Sequence, residues 1–400
     1  MKYIVILCDG MADEPLEELG GRTPLEAAET GNMDRLAADS EIGMVRTVPV
    51  GMAPGSDTAN LSVIGYDPRK YYSGRSPLEA LSIGAEMGEK DVSFRCNLVT
   101  LSEEEDKYED RVILDHSSGE IPTEEAAVLV EALRKGLERE GYTFYAGTSY
   151  RHLLIQKDGK VTELTPPHDI LTKKIGEYLP GDPVLREMMV KSYDILKDHP
   201  VNVQRRAEGK NPANSAWFWG AGTRPALTSF EEKNGVKGAM ISAVDLLKGI
   251  AAGSGMHNII VGGANGGLHT NYSGKAQAAV KALTEDGYDF VYVHIEAPDE
   301  MGHQGSVKDK IKAIEYIDDQ VIGPVAEKLR QSGVDFRMLI LPDHPTPVRV
   351  RTHTSDPVPY LLYDSTEVQE GCSTYCEKTG RESGKMLEEG YRLIDHLLER

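Results

Sequence analysis

The chain has four cysteines in 400 residues (Cys8, Cys96, Cys372 and Cys376), too few for a disulfide framework at this length. Cys372 and Cys376 lack the paired CxxC spacing of a structural zinc site, so all four read as ordinary thiols of a reducing cytosol. No apolar run approaches the ~20 residues needed to span a bilayer. The first apolar stretch, Tyr3–Cys8, is too short for a signal-peptide core and soon meets Asp9 and Asp13, so a cytoplasmic protein is expected. Cationic residues are the minority: 44 Lys and Arg against 64 Asp and Glu give a formal net charge of −20. A field of that sign opposes nonspecific binding to nucleic acid or anionic lipid. There is no internal repeat, no low-complexity tract and no Walker-type phosphate loop. The glycine-rich run Val261-Gly-Gly-Ala-Asn-Gly-Gly267 lacks the lysine and reads as a turn. What remains is a globular composition, 40% apolar and 27% charged, on a chain longer than one core usually fills. Two domains, or one large domain with an insertion, are expected.

Strand-like runs alternate with helix-period segments at both ends of the chain. Strands are expected at Tyr3–Cys8, Asn258–Val261, Asp289–Glu296, Asp335–Leu341 and Pro359–Tyr363. Helices are expected at Thr30–Ser40 (with Asn32 as a cap), Ile241–Ala252, Gly274–Asp286, Val307–Gln331 and Gly384–Glu399. This alternation predicts an α/β fold built on a doubly wound, mostly parallel sheet covered on both faces. The middle differs, with an amphipathic helix at Thr123–Glu140, strands at Tyr142–Ala146 and His152–Gln156, a helix at Val184–Lys197, and a solvated charge run at Glu103–Asp106. It predicts a smaller α+β domain over residues 91–205, inserted between 1–90 and 206–400 of the sheet domain. The Trp217-Phe218-Trp219 run reads as hinge-region packing.

In an open parallel sheet, ligands bind beyond the carboxyl ends of the strands. Three predicted strands end in metal-ligand chemistry: Asp9 after the first, Asp299 and His303 after Asp289–Glu296, and Asp343-His344 after Asp335–Leu341, with His353 following. Taken singly, each has an ordinary reading: Asp9 as a turn or capping residue, His303 and His353 as surface or core histidines. Together, carboxylates and imidazoles at one sheet edge suit two divalent ions of intermediate softness, such as Mn²⁺ or Zn²⁺. The i, i+4 spacing of Asp299 and His303 lets both reach one ion if that segment is helical. His116, His199, His257, His269, His294 and His396 have no such context. Ser56, after Pro54-Gly55 and before an apolar helical start, is either an N-cap or a nucleophile at a helix N-terminus. A metal beside its hydroxyl would lower the hydroxyl pKa and favour the second use.

These segments carry a resemblance. Ile6-Leu-Cys-Asp9-Gly10, Pro54-Gly-Ser56-Asp-Thr-Ala-Asn60, Ala297-Pro-Asp299-Glu-Met-Gly-His303, Leu341-Pro-Asp343-His344 and Thr352-His353-Thr354 resemble, in order, the motifs of the alkaline phosphatase superfamily. The nearest likeness is to the cofactor-independent phosphoglycerate mutases of the shorter, archaeal type, whose bacterial relatives include proposed homoserine kinases. Tyr66–Tyr72, Gly74–Ala80, Phe94–Thr100, Ser149–His152 and Gly235–Ala239 extend the resemblance over nearly the whole chain. It implies that Asp9, Ser56, Asp343 and His344 ligate the ion activating the serine, and that Asp299, His303 and His353 ligate the other. Mn²⁺ is the expected ion, with Zn²⁺, Co²⁺ or Mg²⁺ as alternatives. It implies that Ser56 becomes phosphoserine and that the inserted domain holds glycerate while it turns.

A phosphorylated carboxylate needs local cations on so acidic a protein. Arg151, Arg224 and Lys237 are candidates, with His168-Asp169 or Asp115-His116 as polar or acid–base contacts; each can also be a solvated surface group. The expected partner is phosphoglycerate, with no nucleic acid or membrane, and the expected reaction is the interconversion of 3- and 2-phosphoglycerate without bisphosphoglycerate. A phosphotransferase acting on homoserine, a phosphatase and a metal-binding scaffold without activity are the alternatives. The substantial insert argues against a phosphatase, because excluding water protects a phosphoenzyme. A complete ligand set argues against an inactive scaffold.

Overall fold

The computed structural model describes residues 1–399. Their contacts divide them into two compact units, 1–72 with 227 onward, and 73–226.

The larger unit is built on an eight-stranded sheet. Its strands run in the order Met386–Leu387, Glu41–Val45, Val358–Asp364, Phe336–Leu341, Lys2–Cys8, Phe290–Ile295, Gly238–Ile241 and His257–Asn258. Val358–Asp364 is antiparallel to both neighbours, and the other pairings are parallel, so the sheet is mostly parallel. The central strands are apolar along their length because helices cover both faces. Ile4, Ile6, Cys8, Val291, Val293 and Ile295 pack one face against helices that include Tyr272–Thr284 and Val307–Ile317. Each such side chain contributes roughly 1.5–3 kcal/mol by burial. That fixes the register in which Cys8 opposes Ile295 and Leu7 opposes Leu341. A one-residue slip would displace Asp9 by about 3.3 Å and exchange the faces.

Several elements differ from the sequence reading. Ile241 ends a strand rather than opening a helix, which spans Asp245–Gly253. Asn258–Val261 keeps only the short edge strand His257–Asn258. The long helix divides into Val307–Ile317, a π turn at Asp318–Ile322 and Gly323–Ser332, where Pro324 has no N–H to continue the ladder. Asp318 uses that turn to accept from Asn32 N (3.0 Å) and Met33 N (2.7 Å). It therefore caps the helix Gly31–Ala37 from outside, and Asn32 is not its cap. Gly384–Glu399 is not one helix: Met386–Leu387 joins the sheet edge and only Leu393–Leu398 is α-helical.

The smaller unit is wider than the expected 91–205. Its main strand, Val92–Leu101, pairs antiparallel with Arg151–Gln156, Ile113–Asp115 and Ser215–Thr223. The last of these contains Trp217-Phe218-Trp219, so the run is sheet rather than hinge. Trp217 and Phe218 are fully buried, and Trp217 Nε1 donates to Thr165 O at 2.9 Å. Ser76 Oγ donates to Ser93 O at 3.0 Å, tying the helix Arg75–Ser82 to the same strand. Cross-strand pairing, invisible to composition, therefore moves both boundaries outward.

His152 gives this unit an acid-labile point. It is buried, its Nδ1 accepts from Gly147 N at 3.1 Å, and its Nε2 has no hydrogen-bond partner. Burial pushes its pKa down from 6.5 to about 4, only partly opposed by the nearby Ser149 backbone, which favours the charged ring. Unfolding therefore takes up a proton between these values, so stability is complete above pH 6.5 and declines towards pH 4, by about 3 kcal/mol in all. Both tryptophans lie in this unit, so urea unfolding followed by tryptophan fluorescence should show the decline. His152→Gln should flatten it; an unchanged pH slope in that variant would refute the assignment.

Candidate metal centre

The parallel register brings the three strand ends to one edge. Asp9 directly follows Cys8, Asp343 comes two residues after Leu341, and the Phe290–Ile295 strand leads into the helix Ala297–Gln304. That helix puts Asp299 in its first turn and His303 one turn later, the arrangement their spacing required. Gly10 is at φ +61°, and a Cβ there would lie 2.6 Å from Asp299 Cα and from Thr346 Oγ1, so only glycine lets these loops meet.

Two ligand-like groups result. Asp9, Asp343 and His344 converge in one, and Asp299, His344 and His353 in the other, with His344 common to both. His344 Nε2 lies 3.4 Å from Asp343 Oδ2 and 3.7 Å from Asp9 Oδ1. His303 Nε2 is 3.2 Å from Asp299 Oδ2, His353 Nε2 is 3.4 Å from Asp299 Oδ1, and the two Nε2 atoms are 3.0 Å apart. Ser56 opens the helix Ser56–Val63, but Gly55 holds the cap position and makes no side-chain cap bond. The hydroxyl instead faces His344 Nε2 at 3.2 Å. The capping reading of Ser56 is therefore set aside.

Electrostatics and hydrogen bonding both fit a cation. Burial, followed by the charges of Asp343 and Asp299, pushes Asp9 well above the usual carboxylate range. Asp9 Oδ1 is buried with no hydrogen-bond partner, an arrangement that asks for an explanation such as an ion. Burial also raises Asp299, but the hydrogen bonds from His303 and His353 outweigh it and hold this carboxyl well below its ordinary value. The same Asp299 bond lifts His303 to about 9, whereas burial lowers His344. His303 Nδ1 is 3.0 Å from Arg351 O; donation there orients the ring, the usual support of a metal-bound imidazole, so that Nε2, which here gives its proton to Asp299, would be the nitrogen offered to an ion in that proton's place.

Neighbouring residues that sequence reasoning missed complete the site. His294 Nε2 is 2.9 Å from Asp9 Oδ2, and its Nδ1 is 3.2 Å from Ser242 Oγ. Burial, helped by Lys275, holds His294 down to about 3, so it is a neutral donor that orients Asp9. Asn60 donates to Asp343 Oδ2 (2.9 Å) and Ser56 O (2.8 Å), and Tyr292 OH donates to Asn60 Oδ1 (2.6 Å). A sequence signal existed for each: Asn60 is one helical turn after Ser56, and Tyr292 and His294 alternate with the core residues of their strand.

In the smaller unit, some proposed substrate contacts cluster. The His168 ring is 5.2 Å from Trp219 and 6.1 Å from His116, which is 5.8 Å from Tyr150. The Arg151 guanidinium is 5.3 Å from the Tyr150 ring, and Arg95, absent from the sequence reading, lies 4.1 Å over Trp219. Burial and the nearby charges of Arg75 and Arg151 lower the Arg95 pKa against the opposing pull of Glu79. Asp169 is exposed, 3.7 Å from His168. Arg224 instead donates to Met87 O at 3.2 Å. Lys237 directly precedes the Gly238–Ile241 strand, at the amino edge of the large sheet and opposite the edge bearing Asp9, with Nζ over Tyr288 at 5.0 Å. The register therefore removes Lys237 from the site.

Comparison with known proteins agrees with this architecture. The cofactor-independent phosphoglycerate mutase of Thermoplasma acidophilum superposes with a TM-score of 0.68 at 28% identity, covering 100% of this chain and 99% of that one. A Pyrococcus horikoshii protein superposes at 0.83 with 32% identity, covering 100% and 96%. The fold is thus that of the cofactor-independent phosphoglycerate mutases. The family model described as 2,3-bisphosphoglycerate-independent phosphoglycerate mutase matches residues 37–202. The protein of that name from Methanosarcina barkeri is 48% identical over 406 residues, and that from Methanothrix thermoacetophila 47% over 401, with all of each chain covered. The chain belongs to the 2,3-bisphosphoglycerate-independent phosphoglycerate mutase family.

Proposed function

We propose that this protein interconverts 3- and 2-phosphoglycerate through phosphoserine at Ser56, without bisphosphoglycerate. The observation that carries this reading is the Ser56 hydroxyl 3.2 Å from His344 Nε2, in a site where Asp9 Oδ1 is buried and unpartnered. Asp9, Ser56, Asp343 and His344 would hold one divalent ion and Asp299, His303 and His353 the other, with Mn²⁺ the ion best suited to this mixed set. When bound, such ions lower a hydroxyl pKa and offset phosphoryl charge. Ser56 Oγ, giving up its proton, attacks phosphorus; the bond to the C3 oxygen breaks, that oxygen takes up a proton, and glycerate is released from phosphate but retained by the protein. The C2 hydroxyl then gives up its proton and attacks phosphorus, the bond to Ser56 Oγ breaks, and Ser56 is reprotonated. The N-terminus of the helix Ser56–Val63 favours the phosphoryl charge throughout.

Arg95, Arg151, His116 and His168 form the cationic and polar group of the smaller unit that we assign to the glycerate carboxylate and hydroxyls. Guanidiniums that repel one another favour an anionic ligand. Among the described residues no helix is long and apolar enough to cross a membrane, and the four cysteines are free. With the acidic charge, these features support a cytoplasmic enzyme acting on a small phosphorylated substrate. Phosphorus NMR of the Mn²⁺-loaded protein with 3-phosphoglycerate alone should show 2-phosphoglycerate. Release of inorganic phosphate only would make it a phosphatase. No change, together with phosphorylation of homoserine from a nucleotide donor, would make it a kinase.

A further inference from the structure

We propose that Thr346 is a positioning residue that sets the geometry of both ligand groups at once; this rests on the reading that those groups hold metal ions. Thr346 is fully buried. Its Oγ1 lies 2.5 Å from Asp299 Oδ1 and 3.3 Å from His344 Nδ1. A threonine hydroxyl has one proton to give, and an ionised carboxylate can only accept. The proton therefore goes to Asp299, and towards His344 the hydroxyl can only accept. That contact selects the Nδ1–H form of His344. The Nε2 lone pair is then left facing Asp343 Oδ2, Asp9 Oδ1 and Ser56 Oγ. The same hydroxyl fixes the rotation of Asp299, so that Oδ1 also meets His353 and Oδ2 meets His303.

The hydroxyl cannot drift because its backbone is anchored. Thr346 N donates to Ala12 O at 3.2 Å, and Thr346 O accepts from the buried Lys310 Nζ at 2.8 Å. Lys310 also reaches Ala12 O (3.2 Å) and Asp13 Oδ2 (2.8 Å), binding the loop after Asp9 to the loop after His344. The residue is also wedged sterically: a Cβ at Gly302 would stand 2.4 Å from Thr346 O. One side chain thus touches ligands from two segments while its main chain is tied to the third.

The test is calorimetric titration of metal-free protein with Mn²⁺, alongside thermal unfolding without metal. Wild type should take two ions. Thr346→Val, which keeps the shape but not the hydroxyl, should lose about 10–100-fold in Mn²⁺ affinity, the usual cost of removing an outer-shell partner, while the metal-free protein still unfolds cooperatively. Thr346→Ser should return to within about threefold of wild type on the same reasoning. Should Thr346→Val not fold, Thr346→Ala and Thr346→Ser both lack the methyl and differ only in the hydroxyl, so their difference in affinity decides. Wild-type affinity in Thr346→Val, or equal affinity in the Ala and Ser variants, overturns the inference alone. A wild type that takes up no Mn²⁺ overturns the underlying reading and the inference with it.

Discussion

Ser56→Ala should lose phosphoryl transfer by roughly 10⁴-fold or more, the scale on which removing a covalent nucleophile acts, while keeping its fold. The fold should survive because Ser56 is the first residue of its helix rather than its cap, and Gly55 at the cap position makes no side-chain bond to lose. Alanine is also the better helix former, so the change in stability should stay below about 1 kcal/mol. No neighbouring hydroxyl can take over. Thr58, two residues on, is buried with its Oγ1 committed to Gly55 O (3.0 Å) and Ala53 O (3.3 Å), and so serves the turn that presents Ser56. Acid-quenched wild type given radiolabelled 3-phosphoglycerate should carry label on Ser56, and Ser56→Ala should carry none. Phosphate should return to the glycerate from which it came, so a mixture of differently labelled substrate pools should show no crossover. Extensive crossover would mean that glycerate leaves between steps. Substantial mutase activity in Ser56→Ala would remove the covalent route altogether.

The gathering of the candidate ligands was legible because parallel strands end at one edge, and a strand's end can be read from where an apolar run stops. Asp9, Asp299 and Asp343 follow Cys8, Ile295 and Leu341 by one to four residues, so the topology alone gathers them. His303 was legible through its helical spacing from Asp299. The supporting residues were less visible, since each looks like something commoner. His294 lies within a buried strand and reads as a core histidine; only the fold reveals that its face turns towards Asp9. Thr346 and Lys310 act through backbone carbonyls and long-range contacts that no local pattern encodes.

The limits of the smaller unit and the surroundings of two of the three candidate cations, Arg224 and Lys237, were less legible for a related reason. Val92–Leu101 pairs with Ser215–Thr223 across more than a hundred residues, and strand pairing of that span leaves no trace in composition. Arg224 and Lys237 lie close in sequence to the expected boundary at residue 205, and that closeness does not carry over into space. Lys237 proved to be at the wrong end of a correctly placed strand region, and Arg224 is bonded to a main-chain carbonyl. Arg95 lies on the strand Val92–Leu101, which the sequence reading did not anticipate; its ion pair with Glu79 at 3.0 Å and its stacking on Trp219 accommodate the guanidinium there.

Exhaustive chelation should abolish turnover, and Mn²⁺, Co²⁺ or Zn²⁺ should restore it far better than Ca²⁺. The argument is one of donor chemistry. Three imidazole nitrogens, from His303, His344 and His353, stand among three carboxylates, whereas Ca²⁺ prefers six to eight oxygens at longer distances. Asp299 is the most informative residue to change, because it meets His303, His353 and Thr346 within 3.4 Å. Asp299→Ala should release two imidazoles from their common partner, lower metal content from two ions towards one, and cut the rate by about 10²–10³-fold or more, the several kcal/mol a catalytic ion supplies. Asp299→Asn is the sharper probe. It preserves volume and one carbonyl acceptor but removes the charge, so metal content and rate should fall together, and the metal-free protein should lose stability near neutral pH because the ion pairs from His303 and His353 go with the charge. Elemental analysis of each variant beside its rate separates the roles: a fall in rate with two ions still bound would make Asp299 catalytic rather than ligating. Full activity in protein from which chelation has removed all detectable metal would end the metal reading for both groups.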